Sequence, residues 1–139
     1  MGTMVYAYGV NEKELAKIKA KKVEIEFRNL HPELCKGRVV SLAINRYYRS
    51  LFYDDEVPAR YGIVCELVGG HLGLDPRDIR IASEDGRIVI GVPPLYAWAM
   101  PPEMTVVTED SVRRAFAKSF VALGGGLPAV KYHSLWMEN

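Results

Sequence analysis

Residues 79 to 92, IRIASEDGRIVIGV, constrain this chain more than any other stretch. Two runs rich in β-branched residues flank Glu84-Asp85-Gly86, and a three-residue loop with its glycine in the left-handed conformation fits that gap. A hairpin commits the chain to an antiparallel sheet, and such a sheet needs apolar cover on at least one face. The helical segments supply it. Val112, Phe116, Ser119, Phe120 and Leu123 share one face of a helix that Thr108 caps; Glu109 and Asp110 open it and Lys118 lies towards its end, as the helix dipole favours.

Other segments are read in the same way. HPELCKGRVVSLAINRYYRSLFY predicts a helix with Pro32 in its first turn and a core stripe of Val40, Ala43, Ile44, Tyr47 and Leu51; Gly37 weakens its start. PARYGIVCELVGG predicts a more apolar helix ending at Gly69-Gly70. Asn11 caps a helix over EKELAKIKAKK, with Glu14 in the reciprocal capping position. VEIEFR alternates, Val23, Ile25 and Phe27 against Glu24, Glu26 and Arg28, and predicts a half-buried strand. LYAWAM and MTVVT are expected as short strands beside proline pairs, near a sheet edge. The glycines 124 to 126 follow a helix and precede a strand, AVKYHSLWM, so they read as a helix cap. A phosphate cradle needs the opposite order, glycines before the helix. The expected fold class is α+β: a single-domain sandwich over residues 1–139, helices packed on one face of a mostly antiparallel sheet.

A 139-residue chain holds a core without a disulfide or a metal. No apolar run approaches the roughly 20 residues of a membrane span, and no signal-peptide pattern is present, so a cytoplasmic protein with no membrane partner is expected. Met1-Gly2-Thr3 ahead of Met4 reads as a cloning remnant. The chain has no glutamine and four asparagines beside abundant Arg and Glu, a thermophile-like composition. Cys35 and Cys65 are expected as buried thiols, with a disulfide left open as the alternative in a hyperthermophile.

A net charge of +1 conceals a division. Lys13 to Arg49 carries ten Lys/Arg against four acids, Ser50 to Val112 four against eleven, and the tail from Arg113 four against one, with Glu12 alone ahead of the first block. A protein coated all over for nucleic acid would be more basic, but a local basic face fits this pattern. Arg38, Asn45, Arg46 and Arg49 fall within about a quarter turn of helix, with Leu42 and Tyr53 interleaved. Arginine and tyrosine together suit phosphate contact and base stacking. The competing account is a solvated face tied by salt bridges to the acidic middle third.

Three further groups bear on function. Lys131 and His133 share one face of the last strand, and with a tyrosine from the RYYRSLFY helix they suit phosphodiester cleavage, His as base and Lys holding charge. Tyr96, Trp98, Met100 and Met104 crowd a proline-rich stretch and suit an oligomer interface. His31, Cys35, Cys65 and His71 have zinc-ligand chemistry but the wrong spacing for a structural site, and neither metal nor cofactor is expected. The reading preferred from sequence is a thermostable binding protein for RNA or single-stranded nucleic acid, or a subunit of a nucleoprotein complex, forming a homo-oligomer. The alternatives are a small hydrolase or nuclease using His133 and Lys131, and a purely structural oligomer subunit.

Overall fold

The computed structural model describes residues 2–93 and 107–138. Among the described residues four strands and six helices make an α+β fold. In chain order they are β1 (Gly2–Asn11), α1 (Glu12–Leu15), α2 (Ala20–Leu30), α3 (Pro32–Cys35), α4 (Val40–Phe52), α5 (Ala59–Leu72), β2 (Arg80–Glu84), β3 (Arg87–Val92), α6 (Glu109–Ala122) and β4 (Lys131–Glu138). A short 3₁₀ turn at Pro76–Asp78 links α5 to β2.

The hairpin forms as expected, with a tighter turn. Glu84 pairs with Arg87, leaving Asp85-Gly86 as a two-residue loop with φ of 52° and 78°. Two consecutive positive φ values are the signature of a type I′ turn, whose twist matches that of the strands. β3 pairs with β1, and β1 with β4 along its whole length from Gly2↔Glu138 to Gly9↔Lys131. A single bridge, Ser83↔Trp136, joins β2 to β4 and closes the antiparallel sheet into a small barrel in the order β1-β3-β2-β4.

Strand alternation then sorts the side chains. Ala7, Ala82, Val89 and Leu135 face inward and form a minor core. The space is narrow: a Cβ on Gly91 would lie 2.8 Å from that of Ala7, and one on Gly9 would overlap the Ile90 carbonyl oxygen. Val10, Ile90 and Val92 face outward into the main core with Val23, Phe27, Ile44, Tyr48, Val64, Phe116 and Phe120 of the helices.

The structure corrects several expectations. VEIEFR is not a strand but the centre of α2, because Val23 and Phe27 stand four apart and share a helix face as well as they share a strand face. Ile25 is left exposed, and the surrounding Lys and Glu favour helix. The helix after Asn11 is one turn long, although Asn11 caps it by accepting from the N–H groups of Lys13 and Glu14. α5 runs through Gly69-Gly70 and is capped by Gly73 at φ 70°. Gly69 is required within it, since a Cβ there would sit 2.8 Å from the Leu74 carbonyl oxygen. Residues before Asn11, given no element from sequence, make the longest strand. LYAWAM and the first part of MTVVT lie outside the described residues.

α6 matches its reading closely. Thr108 and Ser111 form a reciprocal capping box, and the five anticipated core residues are all buried. At its other end the N–H groups of Gly124 and Gly125 return to the carbonyls of Val121 and Phe120, with Gly124 at φ 76°. That is a Schellman cap.

Candidate functional sites

The outward face of α4 is built from the helix's inward anchors. Gly62 on α5 has no side chain, so the Tyr48 ring lies against the α5 backbone, and a Cβ at Gly62 would overlap that ring. The Tyr48 hydroxyl then donates to Glu66 Oε1 at 2.7 Å, one α5 turn beyond Gly62. Tyr47 donates to Glu66 Oε2 at 3.2 Å, and His31 Nε2 lies 2.8 Å from the same oxygen. One carboxylate thus ties the α2–α3 junction, α4 and α5 together. Burial, and next the adjacent Glu66 charge, push the Tyr47 phenol up to about 12 and the Tyr48 phenol further in the same direction.

With Ile44 and Tyr48 turned inward, α4 turns its arginines outward. Arg46, Arg49, Asn45, Leu42, Ser50, Tyr53 and Asp55 line an open groove of about 650 Å³. A second groove of about 370 Å³ adjoins it, with Arg38, Val39, Leu42, Ala43 and Arg46. Arg38 and Tyr53 are not helical, as the sequence reading had them. Arg38 lies on the turn between α3 and α4, and Tyr53 ends α4 in the left-handed conformation at φ 52°, ψ 39°. The Tyr53 ring is 87% exposed. Among the described residues no ion pair involves Arg38, Arg46 or Arg49. Three acids of the middle third are engaged elsewhere, Asp75 with Arg77, Glu66 with His31 and Glu84 with His133, whereas Asp55 lines the same groove as Arg46 and Arg49 without an ion pair to either among the described residues.

The last strand brings a second group together. His133 is buried on the inner face of the barrel, opposite Ala7, and its Nδ1 lies 3.0 Å from Glu84 Oε1. Glu84 Oε2 accepts the Ser134 N–H at 2.7 Å, the backbone donor left over where the short β2–β4 ladder stops. These bonds, His133 first, hold the Glu84 carboxyl below its ordinary range against the opposing effect of burial. Asn11, Glu84, Asp85, Arg87, Val89 and His133 line a cavity of about 370 Å³ at this end of the barrel. Lys131 follows the expected alternation but is exposed. No tyrosine of the RYYRSLFY segment lines this cavity: Tyr47 and Tyr48 give their hydroxyls to Glu66, and Tyr53 lies in the groove along α4.

Other expected groups are placed as follows. Cys35 and Cys65 are free thiols, Cys65 fully buried, which pushes its thiol well above the ordinary range. Among the described residues no three His, Cys, Asp or Glu are arranged to hold a metal ion. No described helix is long and apolar enough to cross a membrane. Tyr96, Trp98, Met100 and Met104 lie outside the described residues. Sequence reasoning missed the partners Glu66 and Glu84, and also an aromatic strip on β1 and β4, where the half-exposed rings of Tyr6 and Tyr132 stack with centroids 5.5 Å apart. The period-two spacing of Tyr6, Tyr8 and Val10 was the available signal for that strand. Comparison with known protein families, curated proteins and solved structures finds no match to this chain.

Proposed function

We propose that this protein binds single-stranded nucleic acid, RNA above all, along the outer face of α4. The observation that carries the reading is the set Arg38, Arg46 and Arg49, which line two adjoining open grooves and have no ion-pair partner among the described residues. Guanidinium groups without internal partners are available to phosphate oxygens, to which they bind in a bidentate manner. Tyr53 at the groove's end offers a ring face on which an unstacked base can lie. Leu42, 66% exposed between the arginines, adds apolar contact for a neighbouring base or sugar. A duplex keeps its bases stacked and inaccessible to the Tyr53 ring, so single strands are the favoured form.

The test is fluorescence anisotropy with a labelled mixed-sequence RNA of about twelve nucleotides at several salt concentrations. Three phosphate contacts predict a log–log slope of about −2, from roughly 0.7 per phosphate on single strands. Arg46→Ala or Arg49→Ala should each make that slope shallower by about 0.7. Tyr53→Ala should weaken binding and leave the slope unchanged. Absence of binding, or binding indifferent to salt, rejects the proposal.

A further inference from the structure

The cavity at the end of the barrel holds a histidine whose tautomer is set by its neighbour. Glu84 is an ionised acceptor, so the ring nitrogen facing it, Nδ1, carries the hydrogen at 3.0 Å. In the neutral ring the lone pair is then on Nε2. Nε2 makes no hydrogen bond among the described residues, and no buried side-chain nitrogen or oxygen among them lacks a partner. Nε2 is therefore not sealed from solvent, and His133 lines the cavity. Arg87 lines the same cavity, is exposed, and is cross-strand neighbour to Glu84. No ion pair among the described residues involves Arg87 or Lys131, which lies two residues before His133 on the same strand face. Asp85 is the opposing charge at the rim.

These side chains supply an oriented base and a guanidinium, but no serine, threonine or cysteine lines the cavity to act as nucleophile. The attacking atom must come with the substrate. RNA brings its own, the 2′-hydroxyl beside each phosphorus, and needs from a protein little more than a base and a cation. We propose that the barrel cavity is a ribonucleolytic site in which His133 is the general base, Arg87 holds the phosphate and Glu84 positions the ring. The inference of RNA as substrate rests on the binding reading of the α4 face. The 2′-hydroxyl proton passes to His133 Nε2 as the 2′-oxygen–phosphorus bond forms. The phosphorus–5′-oxygen bond breaks, and the leaving oxygen takes a proton from a solvent water, whose hydroxide is neutralised by the imidazolium proton. The products are a 2′,3′-cyclic phosphate and a 5′-hydroxyl, with no oxidant, reductant or net water consumed.

The experiment uses the full chain in EDTA with a DNA oligonucleotide containing one ribonucleotide, beside the all-DNA strand. Cleavage is expected only after the ribonucleotide, with a cyclic phosphate end identified by mass spectrometry. His133→Gln keeps a donor for Glu84 but removes the base, and should lower the rate at least about 100-fold with an unchanged circular dichroism spectrum. Glu84→Gln should lower kcat about tenfold or more at unchanged KM, which marks positioning of the base rather than loss of substrate binding. Should His133→Gln unfold the protein, Arg87→Ala on the exposed rim carries the test, with at least a tenfold loss expected. Wild-type protein that binds RNA yet leaves it intact overturns this inference and spares the α4 reading. Equal cleavage by wild type and His133→Gln overturns it as well. Cleavage that persists when Arg46→Ala and Arg49→Ala are without effect on binding supports the cavity and rejects the α4 face.

Discussion

Single residues carry the strain and the buried charge of this molecule. Tyr53 occupies a left-handed helix-closing position normally given to glycine, at φ 52°. A side chain there costs about 1 kcal/mol or more. The ring it carries gains no burial in return, being 87% exposed. Tyr53→Gly should therefore raise stability by about 1 kcal/mol in urea denaturation while weakening RNA binding. A variant that loses both stability and affinity would argue that Tyr53 is only structural. Glu66 is the opposite case, a carboxylate held by three donors from two distant parts of the chain, His31 and the adjacent Tyr47 and Tyr48. Glu66→Gln should cost about 2 kcal/mol, since the amide cannot accept from all three as a carboxylate does. The phenols over Glu66 add an alkaline limit. Tyr47 is raised to about 12, so the folded state holds its proton more tightly than the unfolded chain. The stability this gives is complete below the ordinary tyrosine value near 10 and is lost as pH rises through about 12. Denaturation at pH 9 and 11 should show the loss, and Tyr47→Phe should reduce it. None of these partnerships was legible in the sequence: Glu66 lies 35 residues from His31, and no local pattern reports a pairing across that distance.

At the scale of elements, what could be read was what local forces decide. The hairpin turn, the Thr108 cap, the α6 core face and the Gly124 stop each depend on residues within one or two turns of each other. The misread segment is instructive because its local evidence was degenerate. Val23 and Phe27 satisfy both periods, and the packing of Phe27 against Tyr48 and Tyr47, with ring centroids 5.8 and 5.7 Å apart, joins the weak helix preference of the surrounding Lys and Glu in choosing the helix. The basic face of α4 was legible as a helical stripe; its release from the acidic third was not, because that depends on where Asp75, Glu66 and Glu84 find other partners. Close approach of α4 and α5 rests on Gly62, so Gly62→Ala should push Tyr48 off Glu66 and cost about 1–3 kcal/mol. The same shift would roll α4 and its arginines together. RNA affinity should fall although residue 62 is buried away from the groove, and a variant that is destabilised with unchanged affinity would show that the two faces of α4 are uncoupled.

For the whole molecule, the barrel is closed by elements from opposite ends of the chain, and its weakest seam is finished by a side chain. β2 and β4 share one bridge before Glu84 takes over, accepting from Ser134 N–H and His133 Nδ1. Glu12 does the same service between β1 and β3, accepting the Ile88 N–H at 2.6 Å just past the last paired residues. Sheet completion by carboxylates makes the closed state sensitive to acid. The Glu84 carboxyl is held below its ordinary range, chiefly by the bond to His133, so the folded state binds its proton less readily than the unfolded chain. The stability that follows is present above the ordinary glutamate range and is lost as pH falls through the lowered folded value. The seam should open before the helices melt, since the main core is held by apolar burial that does not titrate. Amide exchange resolves the two. After correction for intrinsic rates, protection at Ser134 should decline with acid while protection in α6 persists, and Glu84→Gln should remove the pH dependence at Ser134. Seam and helices that lose protection together would mean that the barrel and the helical layer unfold as one unit. His133 would then be released from Glu84 only by global unfolding.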